Sequence, residues 1–387
     1  MKITLLKKKV VTCLLILFGL IFGFLLSEAA TRIYLRFCTK NKYVGRWQFR
    51  KSCPPLHKNA DYFCTEFLDE SLRCVTGITN PPGTNIIIQG DFAGKYCNVG
   101  NGKRRTAYQP TSFRNRVLLF RGSIMFCWEV LDEHTIVSYL QKLLEERGKG
   151  GLIVENYGAV TTIAAQQMER LLQTPIDSGD IVIFYDGISE VIYPIFNGYI
   201  KGWIPGAGHD VGARKLSPLR RHLYRLALKY SNVSGIAKFL LRTLECTPLA
   251  NTADEALFQK NVECAERNYW KALIEAHRYV TINGGRFYHF LQPNIFNLKK
   301  RSEYEVWLVN NELKQLNGLA KAFTIGYPQL RQAIEAVKME HVDSFDFTRV
   351  FDERIQGKEI YLDCFHCSHI CNERVAREIY NALLVSN

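Results

Sequence analysis

The feature of the sequence that most restricts its fold is a regular alternation of apolar runs and amphipathic segments that begins near residue 116. The runs RVLLF, GLIVENYG and DIVIFYDG are mostly apolar, and two segments with helical spacing separate them. Strands that are buried on both faces and linked by helices are typical of a parallel sheet with helices on both sides. RFYHFLQP and KEIYLD add two later strands. We therefore predict an α/β fold, a three-layer α/β/α sandwich with a five-stranded parallel sheet.

Composition divides the chain after its N-terminus into two further parts. Residues 31–114 are rich in Cys, Gly, Pro and Asn, and predict an irregular or partly β segment that covers the main domain. Residues 115–387 form the predicted α/β domain, in which residues from about 214–280 are a helical insertion. The first helix of this domain is expected to begin at Asp132, a residue type that caps helices, and to end at Gly148.

The N-terminus predicts a membrane anchor. Four lysines are followed by an uncharged, mostly apolar run from Val10 to Ser27. At about 1.5 Å per residue this run is just long enough to cross the hydrocarbon core as a helix, and the lysines favour a cytoplasmic N-terminus. We predict that residues 1–30 are a basic cytoplasmic start and a single-pass transmembrane helix, with the rest of the chain on the non-cytoplasmic side. A cleaved signal peptide is the alternative.

The chain contains 12 cysteines, of which Cys53, Cys64, Cys74 and Cys97 lie in the segment after the predicted anchor. In an oxidising compartment some of them can pair, but the sequence does not give the connectivity.

A net charge of +13 raises the question of an anionic partner. The basic residues lie in separate clusters, one of which is Lys103, Arg104 and Arg105, and each cluster is interpreted as a solvated face. Because no nucleic-acid-binding motif accompanies the charge, we predict no nucleic-acid partner.

Polar residues and glycines follow the predicted strands at the points where the strands end. Ser123 follows the first strand, Gly158 ends the second, and Asp363 and His366 follow the fifth. Asp186, Ser189 and Glu190 follow the third. In open α/β sheets the carboxyl ends of parallel strands meet at one edge, so we expect these groups to converge there. A serine, a histidine and an aspartate are the nucleophile, base and orienting acid of serine hydrolases.

These blocks resemble the SGNH (GDSL-type) hydrolase family over about residues 115–385. RGSI at 121–124 is similar to its first block, and the Asp-x-x-His of the last block is present in DCFH. The resemblance implies that Ser123 is the nucleophile, His366 the base and Asp363 the acid. It also implies an oxyanion hole made by the backbone N–H groups of Ser123 and Gly158, with Ser189 where the family has an asparagine.

The activity that the resemblance implies is hydrolysis of an ester, with an acyl or acetyl group removed from a carbohydrate or lipid. Transfer of the acyl group to a sugar hydroxyl uses the same residues and is an alternative. A catalytically inactive binding or scaffold protein with the same fold is another, since losing one oxyanion donor can cost about 3–4 kcal/mol in the transition state.

A zinc site is a further hypothesis for the C-terminal motif. Cys364 and Cys367 have Cys-x-x-Cys spacing, and Cys371, His366 and His369 are close to them in sequence. A second ligand pair at a suitable distance is missing, so we predict neither a metal nor any other cofactor.

Overall fold

The computed structural model describes residues 18, 19, 21–33, 62–81, 84, 86–148, 151–197, 223, 234, 236, 255–315, 319–353 and 358–385. The chain forms two compact units. One consists of Met1–Phe49 with Ala207–Pro248, and the other of Arg50–Gly206 with Leu249–Asn387. The second unit contains the sheet and every residue of the predicted site. Residues 214–254 of the predicted helical insertion lie outside the described residues, apart from 223, 234 and 236.

Parallel strands form the centre of the main sheet. Within the described residues this sheet has eight strands in the order β10-β9-β8-β6-β7-β5-β4-β3, and β1 pairs with β2 separately. The strands from β10 to β7 are parallel, and β5, β4 and β3 continue the sheet in antiparallel fashion. Their bounds are β1 Ile78–Thr79, β2 Ile88–Gln89, β3 Phe92–Ala93, β4 Asn98–Gly100, β5 Lys103–Arg104, β6 Asn115–Arg121, β7 Leu152–Gly158, β8 Ile181–Asp186, β9 Arg286–Leu291 and β10 Asp343–Asp346.

Two predictions about the sheet were wrong in detail. The fifth parallel strand is β10, because Phe345 stacks on Phe290 of β9 and Ser344 is buried beside that strand. The predicted strand KEIYLD makes only an isolated bridge, between Tyr361 and Cys367, within a tight loop. The sheet also has more than five strands, since part of the segment 31–114 pairs with the edge of β7.

The unit with the sheet contains nine α-helices within the described residues, and the first of them is in the segment 31–114 that was predicted to be irregular or partly β. They are α1 Thr65–Thr76, α2 Ser123–Phe126, α3 Ile136–Glu146, α4 Ala164–Leu172, α5 Ile188–Asn197, α6 Glu255–Ile282, α7 Glu303–Gln315, α8 Leu319–Met339 and α9 His369–Val385. Helix α3 begins later than expected. Its N-cap is Thr135, whose side chain accepts a hydrogen bond from the Ser138 N–H, because the Asp132 carboxylate instead binds Arg104.

The order of the strands places one strand end at a switch point. The connection from β6 to β7 leads to one side of β6, and the connection from β7 to β8 leads back across it. Right-handed crossovers therefore put α3 and α4 on opposite faces of the sheet. Helix α9 packs against α3, and α6 packs against α4 and β9, which completes the layers. Ligands bind beside such a reversal of direction, at the carboxyl end of β6.

The predicted membrane anchor lies only partly within the described residues, since residues 10–17 are outside them. None of the helices in the described part of the chain is both long and apolar enough to cross a membrane.

A buried histidine ties the far side of the sheet together. His289 of β9 is fully buried, with Nε2 2.5 Å from the Tyr269 hydroxyl of α6 and Nδ1 2.6 Å from the Ser344 hydroxyl of β10. Burial lowers the pKa of His289 to about 3, because the charged imidazolium would be desolvated. The folded chain therefore holds this histidine neutral.

This histidine predicts acid sensitivity of the fold. Its pKa is lower in the folded chain than in the unfolded chain, where it is about 6.5. Its contribution is complete above about pH 6.5 and is lost as the pH falls toward 3, at up to about 1.4 kcal/mol per pH unit. We expect the His289→Gln variant to be less stable than the wild type at pH 7. We also expect its free energy of unfolding to fall less steeply as the pH is lowered, by the equivalent of about one bound proton. Urea unfolding between pH 4 and 7.5 measures it. The exposed His341→Asn is the control, and an unchanged slope in His289→Gln contradicts the assignment.

Candidate active site

Ser123 lies directly after the central strand. Strand β6 ends at Arg121, Gly122 is the N-cap in extended conformation, and Ser123 is the first residue of the single-turn helix α2. The side chain of Ser123 is half-buried. A strand that turns sharply into a helix raises the serine above the sheet edge, at the switch point described above. The sequence therefore places a hydroxyl where a substrate can approach it.

Ser123, His366 and Asp363 form a chain of hydrogen bonds. The Ser123 Oγ is 2.9 Å from His366 Nε2, and His366 Nδ1 is 2.8 Å from Asp363 Oδ2. The other carboxylate oxygen of Asp363 accepts the N–H groups of Phe365 and His366, each at 2.8 Å. This geometry holds the imidazole with Nε2 facing the hydroxyl. It is the arrangement that removes a proton from a serine nucleophile.

The loop that carries the histidine and aspartate is closed on itself. The N–H of Leu362 donates to the His366 carbonyl at 2.8 Å, and the Tyr304 hydroxyl donates to the Leu362 carbonyl at 3.2 Å. Within the loop the Asp363 carboxylate caps the turn it sits in. The acid and base are thus positioned by the same few residues.

Gly158 lies near the nucleophile but does not serve as the predicted oxyanion donor. Its N–H donates to Asn156 Oδ1 at 2.9 Å, while the Asn156 amide donates to the Met125 carbonyl at 2.9 Å. A Cβ at Gly158 would be 2.5 Å from the Phe126 N. The absent side chain therefore allows β7 to approach α2. The assignment of the Gly158 N–H to the oxyanion hole is corrected, because that donor is already used.

Ser189 lies beside the turn formed by Gly122 and Ser123. A Cβ built on Gly122 would lie 3.2 Å from the Ser189 Oγ and 3.3 Å from the Thr162 carbonyl oxygen. Both residues thus line the turn that carries Ser123. No acceptor for the Ser123 N–H is found within the part of the chain that the structure describes. This N–H and the Ser189 hydroxyl are available groups at one side of the nucleophile.

Thr161, in the loop beside Gly122, has an unusual backbone conformation that sequence reasoning missed. It has φ 62°, in the left-handed region that a β-branched residue rarely adopts, and it precedes Thr162 in the loop beside Gly122. Such a conformation costs about 1–3 kcal/mol and is concentrated at functional sites. A glycine at this position would have signalled the turn, whereas a threonine gave no sign of it.

Asp186 and Glu190, which follow the third predicted strand, are both buried. Glu190 accepts the N–H of Ala164 at 2.6 Å and the N–H of Gly187 at 3.0 Å, which ties the starts of α4 and α5 together. Asp186 accepts the Gln167 amide at 2.7 Å. These carboxylates stabilise the loops around the site and are not directed at Ser123.

Arg104 fixes the loop that follows α2. Its guanidinium is 1% exposed and donates to the carbonyls of Phe126, Cys127 and Val130, and to Asp132 Oδ1 at 3.0 Å. The interpretation of the Lys103–Arg105 cluster as a solvated face is therefore wrong for its middle member. A single side chain from β5 thus binds carbonyls both at the end of α2 and in the loop that follows it.

The loop held by Arg104 contributes two side chains to the imidazole. The Trp128 Nε1–H lies 3.4 Å from His366 Nε2, with the two rings edge to face. The Glu129 Oε1 is 3.0 Å from His366 Nδ1, and the glutamate is 3% exposed. Neither residue belongs to a motif that the sequence made visible.

One group of side chains has the spacing of a metal site. Among the described residues, only Glu129, Asp363 and His366 bring three such ligand atoms within 4.8 Å of one another. The hydrogen bonds of Asp363 and of both His366 nitrogens account for two of these residues, so we assign no metal here. The motif cysteines belong to the core instead, since Cys364, Cys367 and Cys371 are all buried and the Cys371 thiol donates to the Ile360 carbonyl.

Comparison with known proteins gives structural neighbours but no sequence match. No protein-family model and no curated protein matches the chain. A lipolytic protein of the G-D-S-L family from Veillonella parvula is 12% identical, covers 70% of this chain and 98% of its own, and has a TM-score of 0.38. The acetylxylan esterase Axe2 from Geobacillus stearothermophilus is 12% identical, covers 70% of this chain and 95% of its own, and has a TM-score of 0.37. LAE5, an α/β hydrolase enzyme from the metagenome of Lake Arreo, is 11% identical, covers 71% of this chain and 98% of its own, and has a TM-score of 0.39.

The close approach at Gly158 predicts a strong effect of one methyl group. We expect Gly158→Ala to lower the free energy of unfolding by about 1–3 kcal/mol, because backbone atoms of α2 must move to admit the Cβ. Gly100→Ala is the control, since no atom lies within 4 Å of a Cβ built there. Urea unfolding of both variants measures the difference. Equal stability of the two variants contradicts the packing role.

Proposed function

We propose that this chain is a serine ester hydrolase of the SGNH type. The observation that carries the proposal is the hydrogen-bonded chain from Ser123 through His366 to Asp363, at the carboxyl end of the central strand. Ser123 is 243 positions from His366 in the sequence, and Asp363 is 3 positions from it. The hydrogen-bonding atoms of each pair are nevertheless within 3 Å of each other. A surface serine or a packed histidine has no need of that alignment.

In the proposed reaction the Ser123 Oγ attacks the ester carbonyl while His366 Nε2 takes the hydroxyl proton. Asp363 stabilises the imidazolium and keeps Nδ1 protonated. The same proton passes to the leaving alcohol, which leaves an acyl-enzyme. Water, deprotonated by His366, then attacks the acyl carbonyl and releases the acid and the free serine.

The oxyanion needs donors that the ground state does not use. The Ser123 N–H and the Ser189 hydroxyl are the proposed donors, because Ser189 lies beside the turn that carries Ser123. A hydroxyl is shorter than the amide of the family's asparagine and rotates freely. We therefore propose a slower enzyme than an SGNH hydrolase with the full set of donors.

The proposed substrate class is an ester of a carbohydrate or lipid, with an acyl or acetyl group as the part removed. The family resemblance is the basis of this proposal, and acetylxylan esterases are among the similar structures. A sugar hydroxyl in place of water would make the same site an acyltransferase. Product analysis in the presence of sugar acceptors separates hydrolysis from transfer.

We further propose that the N-terminal segment anchors the chain in a membrane, with the hydrolase unit on the non-cytoplasmic side. Phe18, Phe22 and Phe24 are each more than half exposed, and exposed large apolar side chains favour burial in lipid. Membrane fractionation of the full chain tests the proposal. Recovery of the uncleaved chain in the soluble fraction after alkaline carbonate treatment contradicts it.

Covalent labelling tests the proposed nucleophile. We expect a fluorophosphonate probe to label the wild-type chain, and Ser123→Ala to abolish labelling and hydrolysis of p-nitrophenyl acetate. Ser178→Ala, which removes an exposed hydroxyl outside the site, is expected to label like the wild type. Equal labelling of Ser123→Ala and the wild type contradicts the role of Ser123. An unlabelled wild type that unfolds cooperatively favours a non-catalytic binding protein.

A further inference from the structure

Two carboxylates face the same nitrogen of the proposed base. His366 Nδ1 is 2.8 Å from Asp363 Oδ2 and 3.0 Å from Glu129 Oε1, on the loop after α2. Asp363 is 6% exposed and Glu129 is 3% exposed. On the other ring nitrogen, Nε2, the imidazole contacts the Ser123 hydroxyl and the Trp128 indole. The proposed reaction uses one acid beside the base, Asp363, so Glu129 is a second buried acid without a role in it.

The position of Glu129 is set by the backbone that carries it. Arg104 holds the carbonyls of the residues on both sides of the Trp128–Glu129 pair. Cys127 has φ 54°, a left-handed turn that directs the following residues back over the site. Because the loop is fixed at both ends, the carboxylate of Glu129 is presented to the imidazole by the fold.

We propose that Glu129 is a second acidic positioning residue for His366, an inference that rests on the proposed hydrolase function. Nδ1 carries one proton, so the neutral imidazole satisfies only one carboxylate well. When His366 takes the Ser123 proton, the imidazolium lies against two carboxylates. Glu129 therefore stabilises the charged form that exists during the reaction more than the resting form.

The same charge has an effect on the resting enzyme. A second carboxylate beside the imidazole also favours its protonation by solvent, and a protonated His366 cannot accept the serine proton. The active form, with a neutral His366, is therefore reached only at a higher pH than it would be with Asp363 alone. Glu129 raises the plateau of kcat/KM and moves the acid limb of its pH profile to higher pH.

The test compares Glu129→Gln with the wild type, with Glu133→Gln as the matched control. Glu133 is a half-buried glutamate four residues further along, for which no contact with His366 is seen in the described part of the chain. We expect Glu129→Gln to lower the plateau of kcat/KM for p-nitrophenyl acetate by about tenfold or more. We also expect its acid limb to move down by about one pH unit. Fluorophosphonate labelling rates from pH 5 to 9 provide the same profile without turnover.

Each outcome of this test has one meaning. A lower plateau together with a displaced acid limb, in a variant whose thermal unfolding matches the control, supports the role. A lower plateau with an unchanged acid limb overturns it, since a merely structural defect reduces the rate at every pH. A wild type that is never labelled rejects the hydrolase itself, whereas a labelled wild type with an identical Glu129→Gln profile rejects only this inference.

A second, independent observation concerns two cysteines of the segment before the main domain. Cys74 of α1 and Cys97, just before β4, have their Sγ atoms 2.6 Å apart, and both residues are buried. Two thiols held at this separation are close enough to be joined with little movement of the backbone. The cysteines pack with Val99 and Phe126, and with Trp128 at the edge of the site.

A buried glutamate holds the two segments together independently of the sulfur atoms. Glu70 lies one turn before Cys74 on α1, and its Oε1 accepts the N–H groups of Tyr96 at 2.7 Å and Cys97 at 2.9 Å. Its other carboxylate oxygen accepts the Lys95 N–H at 3.0 Å. The helix and the strand are thus aligned at two points on one helix face, so the approach of the thiols is part of the fold.

We propose that Cys74 and Cys97 form a disulfide in the mature protein. Two thiols lose two protons and two electrons, which pass to a disulfide donor such as oxidised glutathione, whose own S–S bond is reduced to two thiols. A stable bond of this kind is expected in an oxidising compartment, which agrees with the proposed non-cytoplasmic location. The bond would join α1 to the strands that carry Arg104.

Peptide mapping tests the pairing. The full chain is equilibrated with a glutathione buffer at a secretory redox potential, unfolded in iodoacetamide and digested without reductant. We expect one cross-linked pair of peptides that contains Cys74 and Cys97, while the half-buried Cys264 is recovered alkylated. Reductant is expected to lower the melting temperature of the wild type but not of the Cys74→Ser/Cys97→Ser double variant. Recovery of both cysteines as alkylated thiols overturns the proposal.

Discussion

The buried guanidinium of Arg104 is the interaction on which the site depends. A charge removed from water this completely is stable only with full hydrogen bonding, and Asp132 with three backbone carbonyls supplies it. Removing one partner of such a buried pair typically costs about 3–5 kcal/mol. Because Arg104 also pairs with Asn156 of β7 in the sheet, it joins the early segment, the central strands and the loop beside the base. The segment before residue 115 is thus part of the site.

Much of the α/β core could be predicted from the sequence because buried parallel strands appear in it as short, mostly apolar runs. Strands β6 to β9 are mostly apolar, and their runs are visible without knowledge of their neighbours. β10 is different, since only one of its four residues is buried and it becomes a strand because Phe290 and His289 of β9 lie beside it. KEIYLD has the composition of a strand, but its loop satisfies its polar groups locally. For β10 and KEIYLD the strand is determined by the segment that lies beside it, and a local sequence pattern does not identify that segment.

The site shows the same division between local and distant information. Ser123, Asp363 and His366 follow strand ends or lie in a short motif, and their convergence follows from the parallel topology. The hydrogen bond that occupies the Gly158 N–H and the left-handed backbone of Thr161 are features that no residue type reveals. Glu129 and Arg104 are single charged residues among many. Only burial against a particular partner separates them from the other 85 charged side chains of the chain.

The three-residue spacing of acid and base has a mechanical consequence. Asp363 and His366 occupy one self-closed loop, so thermal motion displaces them as a rigid pair and leaves their mutual geometry intact. Ser123 belongs to a different element, since it is the first residue of α2 after the end of β6. The alignment of the three proposed catalytic residues then depends on one distance, the gap between the start of α2 and the C-terminal loop. In the proposed hydrolase, a change in this gap would lengthen or shorten the contact between Ser123 and His366 while the contact between His366 and Asp363 stays the same.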